Sequence, residues 1–125
     1  MKAINDEIAS VRIHQNCKII NDNAFYRCMN LEDVTFDSGS NHTSIKMHAF
    51  YYCASLSSIT LPSTLSFMGT EAFYYCVSLE TIKYNGSKDN WNSIYFEYRG
   101  PNNDTSWHYN TPAEVVRCSN GNIDL

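Results

Sequence analysis

The chain has 125 residues, enough for one domain with a buried core. Charged residues make up 18% and apolar residues 43%, which excludes a disordered chain. Nine basic residues against thirteen acidic ones give a formal charge of −4; the basic residues are scattered, so the clustered positive field that nucleic acid requires is missing.

No apolar run approaches the ~20 residues needed to cross a membrane. The opening "MKAINDEIAS" lacks the apolar stretch of an export signal. Either the chain remains where it is made, or Met1 is not its native start. Residues 1–10 are too few for a full cap, and are read as an edge segment. Ile4 and Ile8 are expected to fold over the end as one helical turn. If they do not, the open edge would pair with a second copy, giving a homodimer.

From residue 11 the chain repeats itself. "AFYRCMNLEDVTF" begins at Ala24, "AFYYCASLSSITL" at Ala49 and "AFYYCVSLETIKY" at Ala72. The segment "VRIHQNCKIINDNAF" (11–25) aligns with "ITLPSTLSFMGTEAF" (59–73) without a gap. The middle copy carries two extra residues around "DSGSNH", which places a loop there. Leu-x-x-Ile-x-Leu alternates with period 2 and predicts a short strand. "AFYYC" is too short for an independent helix and predicts a turn or one 3₁₀-like turn. A unit of about 23 residues cannot bury its own apolar side, so like positions must stack in ladders.

The pattern A-F-x-x-C-x-x-L-x-x-I-x-L-P resembles the BspA-like, Treponema pallidum-type leucine-rich repeat. The likeness covers roughly 10–84, and "TIKYNGSKDNWNSI" with "VVRCSNGNI" is similar to the ending of many members. The expected fold is a leucine-rich-repeat solenoid of three to four repeats. Residues 11–84 would form the repeats and 85–125 a small mixed α/β C-terminal cap.

The inward column is expected to hold Val11, Ile13, Leu31, Val34, Phe36, Leu56, Ile59, Leu61, Leu79, Ile82 and Tyr84. Ala24, Phe25, Cys28 and their equivalents at 49, 50, 53 and 72, 73, 76 form a second layer. In the cap, Ser87 or Asp89 starts a short helix that turns Trp91 and Ile94 inward. "AEVVRCS" then reads as a closing strand, and Trp107 packs inside the cap.

Two outer surfaces are candidates for partner binding. One is the strand row Arg12, Thr35, Thr60 and Lys83, with Ser10, Asp33, Ser58 and Thr81 beside it. The other is a strip of Tyr26-Arg27, Tyr51-Tyr52 and Tyr74-Tyr75. Tyr and Arg dominate binding hot spots. The plainer alternatives are that Thr and Ser suit an exposed strand, and that Tyr shields the layer beneath it.

Cys28, Cys53 and Cys76 follow the repeat period and are expected as buried, unbridged thiols; Cys17 and Cys118 make the count odd. No C-x-x-C occurs, and His14 with Cys17 is a lone ligand pair, so no metal or cofactor is expected. His42, His48 and His108 add no further ligand spacing. Asp22 and Glu71 are read as edge carboxylates with no pocket between them. No catalytic motif is present, and the chain is read as a non-enzyme. Asn41, Asn85 and Asn103 begin N-x-S/T triplets, meaningful only in a eukaryotic secretory pathway.

The resemblance implies a non-catalytic protein–protein recognition module of the microbial cell surface, active in adhesion. The short chain, the missing export signal and the unbridged cysteines favour an alternative. That is a small intracellular inhibitor of phage or mobile-element type, acting in the cytoplasm.

Overall fold

The structure is a computed structural model and describes residues 7–39, 41, 43–97 and 106–125. Along the chain come β1 (Ser10–Ile13), β2 (Ile19–Ile20), β3 (Asp33–Phe36), β4 (Ser44–Ile45) and β5 (Ser58–Leu61). Then follow β6 (Phe67–Met68), β7 (Thr81–Tyr84), α1 (Lys88–Asn92), β8 (Tyr95–Phe96), a 3₁₀ turn (Ser106–His108), β9 (Val115–Cys118) and β10 (Gly121–Asp124). The chain winds as a leucine-rich-repeat solenoid with three walls.

The first wall is made by the strands that the period-2 pattern predicts. β1 pairs with β3, and β5, β7 and β9 pair in order, all parallel; β10 closes the wall antiparallel to β9. Equivalent residues lie opposite one another: Val11 meets Val34, Ile59 meets Ile82 and Ile82 meets Val116. A second parallel wall, β2-β4-β6-β8, went unpredicted. Its strands are two residues long, too short to show a period, but Ile20, Ile45 and Met68 point inward and are buried.

The third wall is the "AFYYC" turn, and it is neither strand nor helix. Alternate N–H groups do two jobs. Those of Ala24, Tyr26 and Cys28 donate three residues back, to the carbonyls of Asn21, Asn23 and Phe25 at 3.1–3.2 Å. Those of Asn23, Phe25 and Arg27 donate to Met47, Ala49 and Tyr51 of the next coil at 2.7–3.0 Å. The same bonds recur from Phe50 to Ala72 and from Tyr52 to Tyr74. Both ends of each turn are left-handed: φ is near +60° at Asn23 and Arg27, at His48 and Tyr52, and at Glu71 and Tyr75. For non-glycine residues this costs of order 1 kcal/mol each and persists only where the surroundings fix it. Gly69 marks a tight passage between coils, where a Cβ would sit 2.4 Å from the Met47 nitrogen.

Phe25, Phe50 and Phe73 lie in one row, stacked at 5.2 and 5.0 Å. The repeated cysteine has a duty beyond filling space. The Cys53 thiol donates to the Phe25 carbonyl (3.2 Å) and the Cys76 thiol to that of Phe50 (3.1 Å), so each satisfies a carbonyl of the previous coil.

Some expected core positions are corrected. Ala24 is exposed, and Val11 and Phe25 are only half-buried, because they belong to the first coil and no described coil precedes it. Phe36 is half-buried because it borders a cleft in the first wall. Ile8 packs against the core, whereas Ile4 lies outside the described residues, as do His42 and Asn103.

Residues 85–125, read as a cap, both continue the stack and close it. Ser87 is the helix cap, its hydroxyl accepting from the Asn90 N–H at 3.1 Å, and Trp91 and Ile94 are buried. After α1 the chain returns to the same three walls. β8 extends the second and β9 the first. Trp107–Asn110 extends the third: Phe73 donates to Trp107 (2.7 Å) and Tyr75 to Tyr109 (2.8 Å), repeating the bonds of the earlier coils. Asn110 is left-handed like Tyr75, and Thr111 N–H donates back to His108 as Cys76 does to Phe73. "WHYN" is thus a fourth copy of the turn with different letters.

Phe50 is fully buried between two rings, and Phe25 is stacked on one side only. Phe50→Ala should cost about 3–5 kcal/mol in denaturant unfolding, and Phe25→Ala clearly less. Equal losses would contradict a stack whose packing weakens toward its first coil.

Candidate functional site

The third wall projects tyrosines in two columns. Tyr26, Tyr51, Tyr74 and Tyr109 stack at 4.9, 5.3 and 5.1 Å, with ring planes within 22° of parallel. Tyr52 and Tyr75 stack beside them at 5.5 Å, and the Arg27 guanidinium lies 5.1 Å from the centre of the Tyr52 ring. Edge contacts tie the columns together, Tyr74 to Tyr75 at 4.5 Å and Tyr75 to Tyr109 at 6.1 Å. The structure therefore brings together all six residues named for this strip from the sequence. It adds Tyr109, 48% exposed, which the sequence reading missed because Trp107-His108 replaces Ala-Phe. The signal available was Tyr109-Asn110, since Asn tolerates the left-handed position.

His48 flanks the strip. Its ring meets Tyr51 edge-on at 5.0 Å, and its Nε2 lies 3.3 Å from a Glu71 carboxylate oxygen. Stacking partly desolvates the phenols. Burial, then the neighbouring Tyr75, pushes Tyr74 up to about 12, and burial followed by Tyr26 raises Tyr51. Both hydroxyls stay protonated through the neutral range and can donate hydrogen bonds. The strip thus offers flat apolar rings with polar tips, the composition of binding hot spots.

The strand row is less uniform than expected. Arg12 is engaged: its guanidinium forms a two-pronged contact with Asp37, the second bond at 3.3 Å, which raises Arg12 and lowers Asp37. Thr35 and Thr60 stand on opposite sides of a cleft of about 520 Å³ between β3 and β5. These two strands are neighbours, but no ladder joins them. Elsewhere the residue after the strand donates to the previous coil: Asp37 to Ile13 (2.9 Å) and Asn85 to Leu61 (3.0 Å). In the β5 coil that position is Pro62, which has no N–H. The inserted loop, with Gly39 at φ +77°, leaves the cleft at the same place. Lys83 is exposed and lies beside Arg117, a residue the sequence reading did not place on this face.

Among the described residues, no group of three or more His, Cys, Asp and Glu is placed to hold a metal ion. His14 and Cys17 are otherwise occupied, His14 Nδ1 accepting from Asn16 N–H and the Cys17 thiol donating to the Ile19 carbonyl. Glu71 shares its position with Asn23 and His48 and not with Asp22. All five cysteines are thiols outside disulfides. Contact with the Cys76 thiol, and then burial, raises Cys53, so it stays protonated. His108 is buried, its Nε2 has no hydrogen-bond partner among the described residues, and burial pushes it down to about 4. No helix among the described residues is long and apolar enough to cross a membrane.

Comparison with known families agrees with this geometry. The family model of the BspA type leucine-rich repeat region (6 copies) matches residues 4–102, and the chain belongs to that family. No curated protein and no solved structure matches it. Solenoids of this family type are repeat scaffolds for protein interaction and typically not enzymes.

Two measurements follow from the buried groups. His108 titrates at about 4 when folded and near 6.5 when unfolded. The unfolded chain therefore binds the proton first, and stability present above pH 6.5 is lost as pH falls to 4. The gap corresponds to roughly 3 kcal/mol. His108→Phe should flatten this acid limb of the melting-temperature profile; an unchanged limb would assign it to other groups. In alkylation, Cys53 and Cys76 should react only after unfolding, while Cys17 and Cys118, half-buried, react in the native protein. Fast labelling of Cys53 without denaturant would refute its burial.

Proposed function

We propose that this chain is a non-catalytic protein-recognition module whose working surface is the tyrosine strip of the third wall. The observation that carries this reading is the continuity of the strip. It runs through three repeats and across the irregular fourth coil, where Tyr109 keeps the register although Ala and Phe are lost. A shielding role alone would not require a ring at the far end, where Tyr109 is nearly half exposed.

In keeping with the family, the partner is an extracellular protein and the module serves adhesion at a microbial surface. A second reading is a small inhibitor working in a reducing compartment. It is favoured by five thiols outside disulfides, two of them partly accessible.

Binding of the whole chain to immobilised host-matrix proteins tests the first reading. Tyr52→Ala with Tyr75→Ala should remove binding and shift the melting temperature by only a few degrees, whereas Thr60→Arg should leave binding intact. The opposite pattern would move the site to the strand face. Absence of matrix binding, together with a strip-dependent complex with an intracellular protein, would favour the inhibitor.

A further inference from the structure

The strand face carries its charges in an order that the repeat does not show. Register sets Thr60 beside Lys83, Lys83 beside Arg117 and Arg117 beside Asn122, all exposed. Neighbouring strands are about 4.8 Å apart, so two cations stand side by side. Among the described residues neither forms an ion pair. Arg12, at the other end of the row, is already held by Asp37. Two adjacent uncompensated cations run against the chain's net charge of −4. Like charges directly opposite on a sheet destabilise it, and an anion set between them reverses the sign.

We propose that this face docks an extended acidic segment of a protein partner, with one carboxylate bridging Lys83 and Arg117. The residues next to that carboxylate lie over the cleft between β3 and β5. The site is separate from the tyrosine strip, and either can fail without the other. The guanidinium of Arg117 suits the two oxygens of a carboxylate, and Lys83 adds a second point of attachment. The cleft walls supply neutral donors and acceptors for a peptide backbone: Thr35, Ser58, Thr60, Ser63 and Asn85. Asp33 on the far wall repels a second anion, so the acidic residue belongs at the β7–β9 end and the segment has a set direction. From β3 to β9 is about three strand spacings, or roughly 15 Å, which four or five extended residues cover. A nucleic-acid backbone fits poorly, because its repeated phosphates would meet Asp33 and Asp124.

The test is fluorescence anisotropy with the whole chain and two labelled peptides, a serine octamer carrying one Glu and its counterpart with Gln at that place. The Glu peptide should bind at least about ten-fold tighter at ~50 mM salt, and the gap should shrink at ~300 mM. Lys83→Thr with Arg117→Thr should abolish that preference, while Tyr52→Ala with Tyr75→Ala should leave it unchanged. Lys83→Thr alone should raise the melting temperature by about 1–4 °C, because it removes the like-charge contact. Equal binding of the two peptides would overturn the proposal. So would retained preference in the double variant, or displacement of the Glu peptide by an equal concentration of inorganic phosphate.

Discussion

Everything in this molecule depends on hydrogen bonds that run along the axis from coil to coil. A backbone N–H aimed along the axis has only an adjacent coil to receive it, and a buried one left unmet costs ~1–3 kcal/mol. All three walls are built this way, the first with one break between β3 and β5, and in the turn wall Phe25, Phe50 and Phe73 each donate forward. The rule fixes coil length to within a loop, and fixed coil length makes like side chains fall over like. Ring spacings of 4.9–5.5 Å in the phenylalanine row and both tyrosine columns follow from it. It also explains why Tyr52 and Tyr75 tolerate a left-handed backbone, since each sits in a turn anchored by its own axial bond.

Side-chain chemistry was legible in the sequence where copies share letters, and illegible where only backbone repeats. Ala, Phe and Cys gave away their row because packing needs those shapes at each level. The second wall left no trace, because two residues cannot display a period and each strand turns a single residue inward: Ile20, Ile45, Met68 and Phe96. The fourth turn was hidden for a related reason. Trp107 replaces a buried Ala, and its ring covers the edge of Phe73 at 6.2 Å while meeting Trp91 at 5.7 Å. A different set of side chains fills the space, but the backbone bonds are kept. The cysteine thiol as donor was likewise unreadable, since a letter suited to tight packing conceals a hydrogen bond visible only across coils.

The break in the first wall shows how a single residue modulates such a stack. Asp37 and Asn85 close their ladders through an N–H that Pro62 lacks. The neighbouring coils still stay in register, because the second and third walls remain bonded at that level: β4 to β6, Phe50 to Ala72 and Tyr52 to Tyr74. One wall opens while two hold. A three-walled solenoid can therefore carry a cleft on a strand face without losing its core.

A last distinction concerns what regularity does for recognition. Stacking aligns like turn positions in a column, so a ladder of tyrosines used as a docking surface would by itself offer little choice of partner. Choice must come from positions where the copies differ. On the strip these are Arg27 in place of Tyr52 and Tyr75, the series Asn23, His48 and Glu71 at one left-handed position, and Asn110 at the far end. They give the strip a cationic first end, a hydrogen-bonding middle where His48 meets Glu71, and a neutral last end. A ligand that read only stacked rings would bind in any register along the axis. One that also pairs with Arg27 and with the His48–Glu71 flank is held in a single register, because those groups occur once each.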